Sequence, residues 1–158
     1  ERLGHQGRIQ LVIAPLLEEL GSLNAEPPAL VTAEFPFILM AGERRGYSAN
    51  TIYRDAAWRR KDRHGALRMN PEDARRLGIS TGDSVRLSTR TGSATASVEV
   101  TPRMQAGHLS LPNGFGLDNE DGSREGVAAN ELTSLEDRDP FAGTPWHKCV
   151  PARVEAIC

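Results

Sequence analysis

Asn70-Pro71-Glu72-Asp73-Ala74-Arg75-Arg76-Leu77-Gly78-Ile79-Ser80-Thr81-Gly82-Asp83-Ser84-Val85-Arg86-Leu87-Ser88-Thr89 carries the clearest fold signal in this chain. Asn70 can cap a helix, Pro71 suits its first position, and Glu72 and Asp73 favour the positive end of the helix dipole. Gly78 supplies a left-handed C-terminal residue, after which Ile79 can close back over Ala74. The expected helix has about two turns. Gly82-Asp83 then turns the chain. Val85, Leu87 and Thr89 alternate with Ser84, Arg86 and Ser88; beyond the turn Thr91-Gly92-Ser93, Ala94, Ala96, Val98 and Val100 alternate with Thr95, Ser97 and Glu99. This pattern predicts a hairpin with one apolar face.

Outward from this stretch the signals are shorter. Phe35 to Met40 is an apolar run suited to a buried strand, with Pro36 near its start, where a missing N–H is tolerated. Leu109 to Pro112, introduced by Gly107, and Val150 to Ile157 predict two more strands. Ile9 to Ile13 has the makings of another. Pro15 to Leu20 predicts one or two helical turns, with Leu16, Leu17 and Leu20 on one side and Gly21 as the stop. Residues 42–68 and 113–146 read as loops. Five or six short strands, at least one short helix and no βαβ alternation exclude a doubly wound sheet and leave a barrel or a sandwich.

The chain has 158 residues, 39% of them apolar, enough for one domain with a core. The expected division is an entry segment over 1–34 and one domain over 35–158. The start lacks a Met and an apolar leader, so the chain reads as a fragment or processed product, with a cytoplasmic address favoured. No apolar run reaches membrane-spanning length. The formal net charge of -2 argues against nucleic acid as the main partner. Cys149 and Cys158 do not make a disulfide framework, and His147 with Cys149 offers too few ligands for a structural zinc site.

No Gly-x-Ser-x-Gly, His-Glu-x-x-His or Walker loop is present. Anion binding has better support. Gly42 follows a strand and lets a ligand approach the backbone; Arg44 and Arg45 come next, then Asn50, Thr51 and Arg54. Guanidinium forks and short polar donors suit a diphosphate. From Glu43 to Arg63, seven basic residues against three acidic ones leave a net charge of +4. A solvated arginine-rich loop would have the same composition. A second polar set comprises Asn113, Asn130, Thr133 and Lys148. An alternative use of the arginine loop is a nucleic-acid or protein adaptor, with Tyr47, Tyr53 and Trp58 stacking on bases.

Several segments together resemble a known family. They are Gly7-Arg8-Ile9-Gln10-Leu11, the strand and glycine turn from Phe35 to Arg44, the stretch from Asn70 to Val100, Asn130-Glu131-Leu132-Thr133, and Thr144-Pro145-Trp146-His147-Lys148. In this order they resemble the C-terminal molybdopterin (guanine) dinucleotide-binding domain of the dimethyl sulfoxide reductase family of molybdenum and tungsten oxidoreductases. The resemblance implies a mostly β fold, the double-psi β-barrel shared with aspartate decarboxylase-like proteins, with short helices and long loops. It implies molybdopterin guanine dinucleotide as the cofactor. Gly42, Arg44, Asn50, Thr51, Asn113, Asn130, Thr133 and Lys148 are the implied contacts. The metal ligand and any iron–sulfur cysteines would come from upstream domains of the parent oxidoreductase, with electron-transfer subunits as further partners. The chain by itself is then expected to be inactive. Self-cleavage of the decarboxylase kind would need a Gly-Ser pair, but Gly21-Ser22, Gly92-Ser93 and Gly122-Ser123 sit in plain turns. Many family members have Arg directly after the first-loop glycine, whereas this chain inserts Glu43.

Overall fold

In the computed structural model, the described residues are 12–23, 29–45 and 62–157. They form helix α1 (Ala14–Gly21), strand β1 (Phe37–Glu43), strand β2 (Leu67–Met69), helix α2 (Pro71–Leu77), strands β3 (Ser84–Thr89), β4 (Ser93–Val100) and β5 (His108–Pro112), a 3-10 helix at Ala129–Leu132, and strand β6 (Val150–Ala156). The expected strand at Ile9 to Ile13 falls mostly outside the described residues.

The six strands close into a barrel in the order β1-β5-β2-β4-β3-β6. Two neighbouring pairs, β1 with β5 and β2 with β4, are parallel, and the other four are antiparallel. Strand β5 therefore lies between β1 and β2, and β4 lies between β2 and β3. These are the two interlocked psi units of a double-psi β-barrel. Inward side chains fill it: Phe37, Leu39, Leu67, Met69, Val85, Leu87, Val98, Leu109, Leu111 and Val154 are all buried. A packed centre of this kind leaves binding to the rims.

Helix α2 forms for the reasons read in its sequence. The Asn70 side chain accepts from the Glu72 N–H at 2.8 Å, and Gly78 adopts φ 68° while its N–H closes the last turn. The Ile79 N–H reaches the Ala74 carbonyl at 2.9 Å. Helix α1 also forms, but none of its residues is buried, and Leu16, Leu17 and Leu20 are exposed. No helix among the described residues is long and apolar enough to cross a membrane.

Strands β1 and β2 differ from expectation, and so does the 3-10 helix, which lies inside the expected loop 113–146. Strand β1 runs two residues later at its start and three later at its end, because its pairing with β5 continues past Met40 to Glu43. Strand β2 begins inside the expected loop 42–68 and ends one residue beyond it. It has only three residues, too few to show alternation, and it is held by its neighbours β4 and β5.

Strand directions alternate along the chain. The ends of β1, β3 and β5 and the starts of β2, β4 and β6 thus meet at one rim. That rim gathers the connections 90–92 and 113–149 and the described ends of the β1–β2 connection, 44–45 and 62–66. The other rim holds α2 and the short connection 101–107.

Candidate functional site

The site is built where β1 and β5 end together. The register between them slips at Gly42: Ala41 pairs with Leu111, but Glu43 pairs with Pro112. Gly42 is the extra residue, at φ 83°, a conformation that costs an L side chain about 1–2 kcal/mol. A β-carbon there would stand 2.9 Å from the Asn113 Oδ1. The Asn113 N–H donates to the Glu43 carbonyl at 3.0 Å, so the bulge also fixes where the β5–β6 connection begins.

The opposite wall is the 3-10 helix. Ala129 and Leu132 are buried beneath it, whereas Asn130 is exposed. The Thr89 hydroxyl donates to the Leu132 carbonyl at 3.0 Å, and Gly92 comes so close to the Glu131 carbonyl that a β-carbon would lie 2.7 Å from it. The helix is thereby seated on the β3–β4 turn. Arg124 braces its approach: Nε donates to the Gly116 carbonyl at 2.7 Å, and the guanidinium pairs with Glu131. Gly116 has φ 74°, and a β-carbon there would run into the backbone of Val127 and Ala128.

Between these walls lies a cavity of about 490 Å³. This falls within the ordinary range for small-molecule sites, about 300–1,000 Å³. Gly42, Asn113, Asn130, Thr133, Pro145 and His147 line it, with apolar surface from Ala41, Ala129 and Leu135. The structure thus brings together four of the eight residues singled out in the sequence: Gly42, Asn113, Asn130 and Thr133. Arg44 is exposed two residues beyond Gly42 and is not part of the wall. Lys148 lines a neighbouring, more apolar cavity of about 650 Å³ that shares Pro145 and His147 with the first. Neither Arg44 nor Lys148 is in an ion pair among the described residues. Asn50 and Thr51 lie outside the described residues, as do Tyr47, Tyr53 and Trp58.

His147 is a lining residue that the sequence did not mark as a contact. Its carbonyl accepts from the Ala41 N–H at 2.8 Å, which ties this segment to β1. Its Nδ1 lies 2.8 Å from the Pro145 carbonyl. A carbonyl only accepts, so Nδ1 carries the proton and Nε2 is the ring's remaining polar atom. Its place within the Thr144 to Lys148 segment was the available signal. Among the described residues no cluster of His, Cys, Asp or Glu is arranged to hold a metal ion.

Outside the cavity, Glu43 gathers three partners. Its carboxylate accepts from the Ser110 hydroxyl at 2.6 Å, from Arg45 Nε at 2.9 Å and from Arg68 Nη1 at 2.7 Å. Burial pushes this carboxyl up, but the hydrogen bonds from Ser110 and Arg45 and the charges of Arg45 and Arg68 outweigh it, so it titrates below its ordinary value.

A closed barrel with a polar-edged pocket at one rim defines a small-molecule-binding module. The comparisons give its family. The model of the Molydopterin dinucleotide binding domain, that is, the molybdopterin dinucleotide-binding domain, matches residues 37–151. The chain belongs to this family, and its cofactor is a molybdopterin dinucleotide. It is 28% identical over 140 residues to the F420-dependent formate dehydrogenase 1 subunit alpha of Methanococcus maripaludis, covering 84% of this chain and 18% of that protein. The acetylene hydratase of Pelobacter acetylenicus shares the fold, with a TM-score of 0.72 at 20% identity, covering 90% of this chain and 22% of that one. The chain therefore spans about a fifth of these proteins. None of these matches favours the adaptor reading of the arginine-rich loop.

The pocket suits part of such a cofactor. Bare backbone at Gly42 admits a close approach, while Asn113, Asn130 and Thr133 offer donors and acceptors to a heterocycle or a sugar.

Proposed function

We propose that this chain is the cofactor-binding C-terminal domain of a larger molybdopterin oxidoreductase of the formate dehydrogenase type. The rim cavity would hold the guanine nucleotide end of molybdopterin guanine dinucleotide. The observation that carries this reading is the convergence of Gly42, Asn113, Asn130 and Thr133 on one cavity within the family-matched segment. Gly42 gives the ligand access to backbone. Asn113, Asn130 and Thr133 orient its polar edges. Arg44, with Asn50 and Thr51 from the same loop, meets the diphosphate, and Lys148 adds a point charge on the neighbouring side. Residues 35–158 form the binding domain, and residues 1–34 lead into it.

The cofactor, with molybdenum or tungsten, supplies the redox chemistry when bound. The chain's own residues bind it, orient it and shield one side from water. Upstream domains would close the other side, electron-transfer subunits would dock on the whole protein, and the domain alone would not turn over substrate.

Calorimetric titration with GDP tests the binding role. The chain is expected to bind GDP, and Asn130→Ala to weaken binding roughly tenfold, the equivalent of about 1.4 kcal/mol, without lowering the melting temperature. Equal binding by parent and variant would remove Asn130 from the site.

A further inference from the structure

We infer that Glu43 is a positioning residue that holds Arg45 outside the pocket and leaves Arg44 as the first-loop arginine for the ligand's phosphates. The inference rests on the nucleotide-binding reading above and gives a physical ground for dividing the labour between two adjacent arginines, of which only the family resemblance singled out Arg44.

Four outward-facing side chains cross the barrel wall in strand order: Glu43 on β1, Ser110 on β5, Arg68 on β2 and Glu99 on β4. Ser110 and Arg68 each stand between two buried residues of their own strands, which fixes their outward direction, and Glu43 and Glu99 meet them through hydrogen bonds on that outer side. Ser110 is only 2% exposed, because Glu43 and Arg45 cover it. Arg45 is itself 6% exposed, with Nε on Glu43 and Nη1 on Asp62 at 2.8 Å. Asp62 in turn accepts from the Ala66 N–H at 3.2 Å. Glu99, Arg68, Glu43, Arg45 and Asp62 thus alternate in sign along one continuous chain of contacts. It joins the start of the β1–β2 connection to its end and to β5, whose last residues lead to Asn113.

An arginine bonded to two carboxylates has much of its fork committed, and pulling it free would leave those carboxylates without their main partner. Arg44 carries no such commitment among the described residues and is exposed beside Gly42. The inserted Glu43 explains the division. It accepts from Arg45 on the outer wall, while its backbone carbonyl holds the Asn113 N–H at the pocket edge.

The test compares Arg44→Ala with Arg45→Ala, and with Arg45→Gln should the alanine variant fail to fold. GDP affinity is measured at low and high salt, and the arginine Nε–H groups of the free parent chain are followed by NMR. Arg44→Ala is expected to weaken GDP about tenfold or more and to blunt the salt dependence, with the melting temperature unchanged. The Arg45 variants are expected to melt earlier and keep the parent's salt dependence. The Arg45 Nε–H should exchange slowly and that of Arg44 quickly. Salt dependence lost with Arg45 instead of Arg44, or equal exchange at both, would overturn the assignment. If the parent chain takes no GDP, the nucleotide reading fails and Arg44's role with it. The exchange rates then still decide whether Glu43 holds Arg45.

Discussion

Leu132→Ala is expected to lower the stability of the chain by about 2–5 kcal/mol and to weaken GDP binding at the same time. Leu132 is fully buried and joins the barrel core from outside the strands. It is also the anchor of the 3-10 helix that presents Asn130. Removing its branched end leaves a void under that helix, and the Thr89 hydroxyl bond to the Leu132 carbonyl is too weak to replace it. The two effects separate by comparison with Asn130→Ala, for which only binding should fall. Denaturant unfolding of both variants, with GDP titration of each, checks this. A Leu132→Ala chain that unfolds like the parent would show that the 3-10 helix is not seated as described.

The second large effect belongs to Gly42→Ala. Two costs combine there. The φ of 83° is unfavourable for alanine by about 1–2 kcal/mol, and the new methyl would press on the Asn113 amide at 2.9 Å. The amide is the far end of an exposed side chain, so it yields by turning away and the fold survives. The pocket edge does not, because Gly42 and Asn113 are both part of it. GDP affinity is expected to fall more than tenfold while the melting temperature drops modestly. Adding Asn113→Ala to Gly42→Ala relieves the clash and leaves the backbone cost, so the two changes should be non-additive in stability. Additive losses would mean that the two residues do not press on each other.

Much of the barrel is legible in the sequence. The Asn70 cap, Pro71 and Gly78 specify α2 locally, and the alternation from Val85 to Val100 specifies the hairpin, since each signal lies within a few residues of what it controls. Barrel closure was not legible in the same way. It depends on β5 inserting between β1 and β2, a pairing between residues far apart in the chain, and on the three-residue strand β2. Only the family resemblance pointed to it.

The site divides along similar lines. Gly42 near the end of β1, Asn113 just after β5, and Asn130 and Thr133 beside the apolar anchor Leu132 are gathered by the structure at one cavity. His147 went unmarked because its place depends on the Ala41 bond across to β1. Arg44 and Arg45 look alike in the sequence; the long-range partners Ser110 and Asp62 of the Glu43 network tell them apart. Lys148, exposed on the neighbouring cavity, has its role set by how far the ligand extends.

Whether this rim holds a nucleotide is decided by backbone amide NMR of the labelled chain during GDP titration. Shifts are expected at Gly42 to Arg44, Asn113 to Gly114 and Asn130 to Thr133, with the opposite rim from Ser80 to Asp83 unmoved. Shifts at the opposite rim, or none at millimolar GDP, would contradict nucleotide binding at this rim.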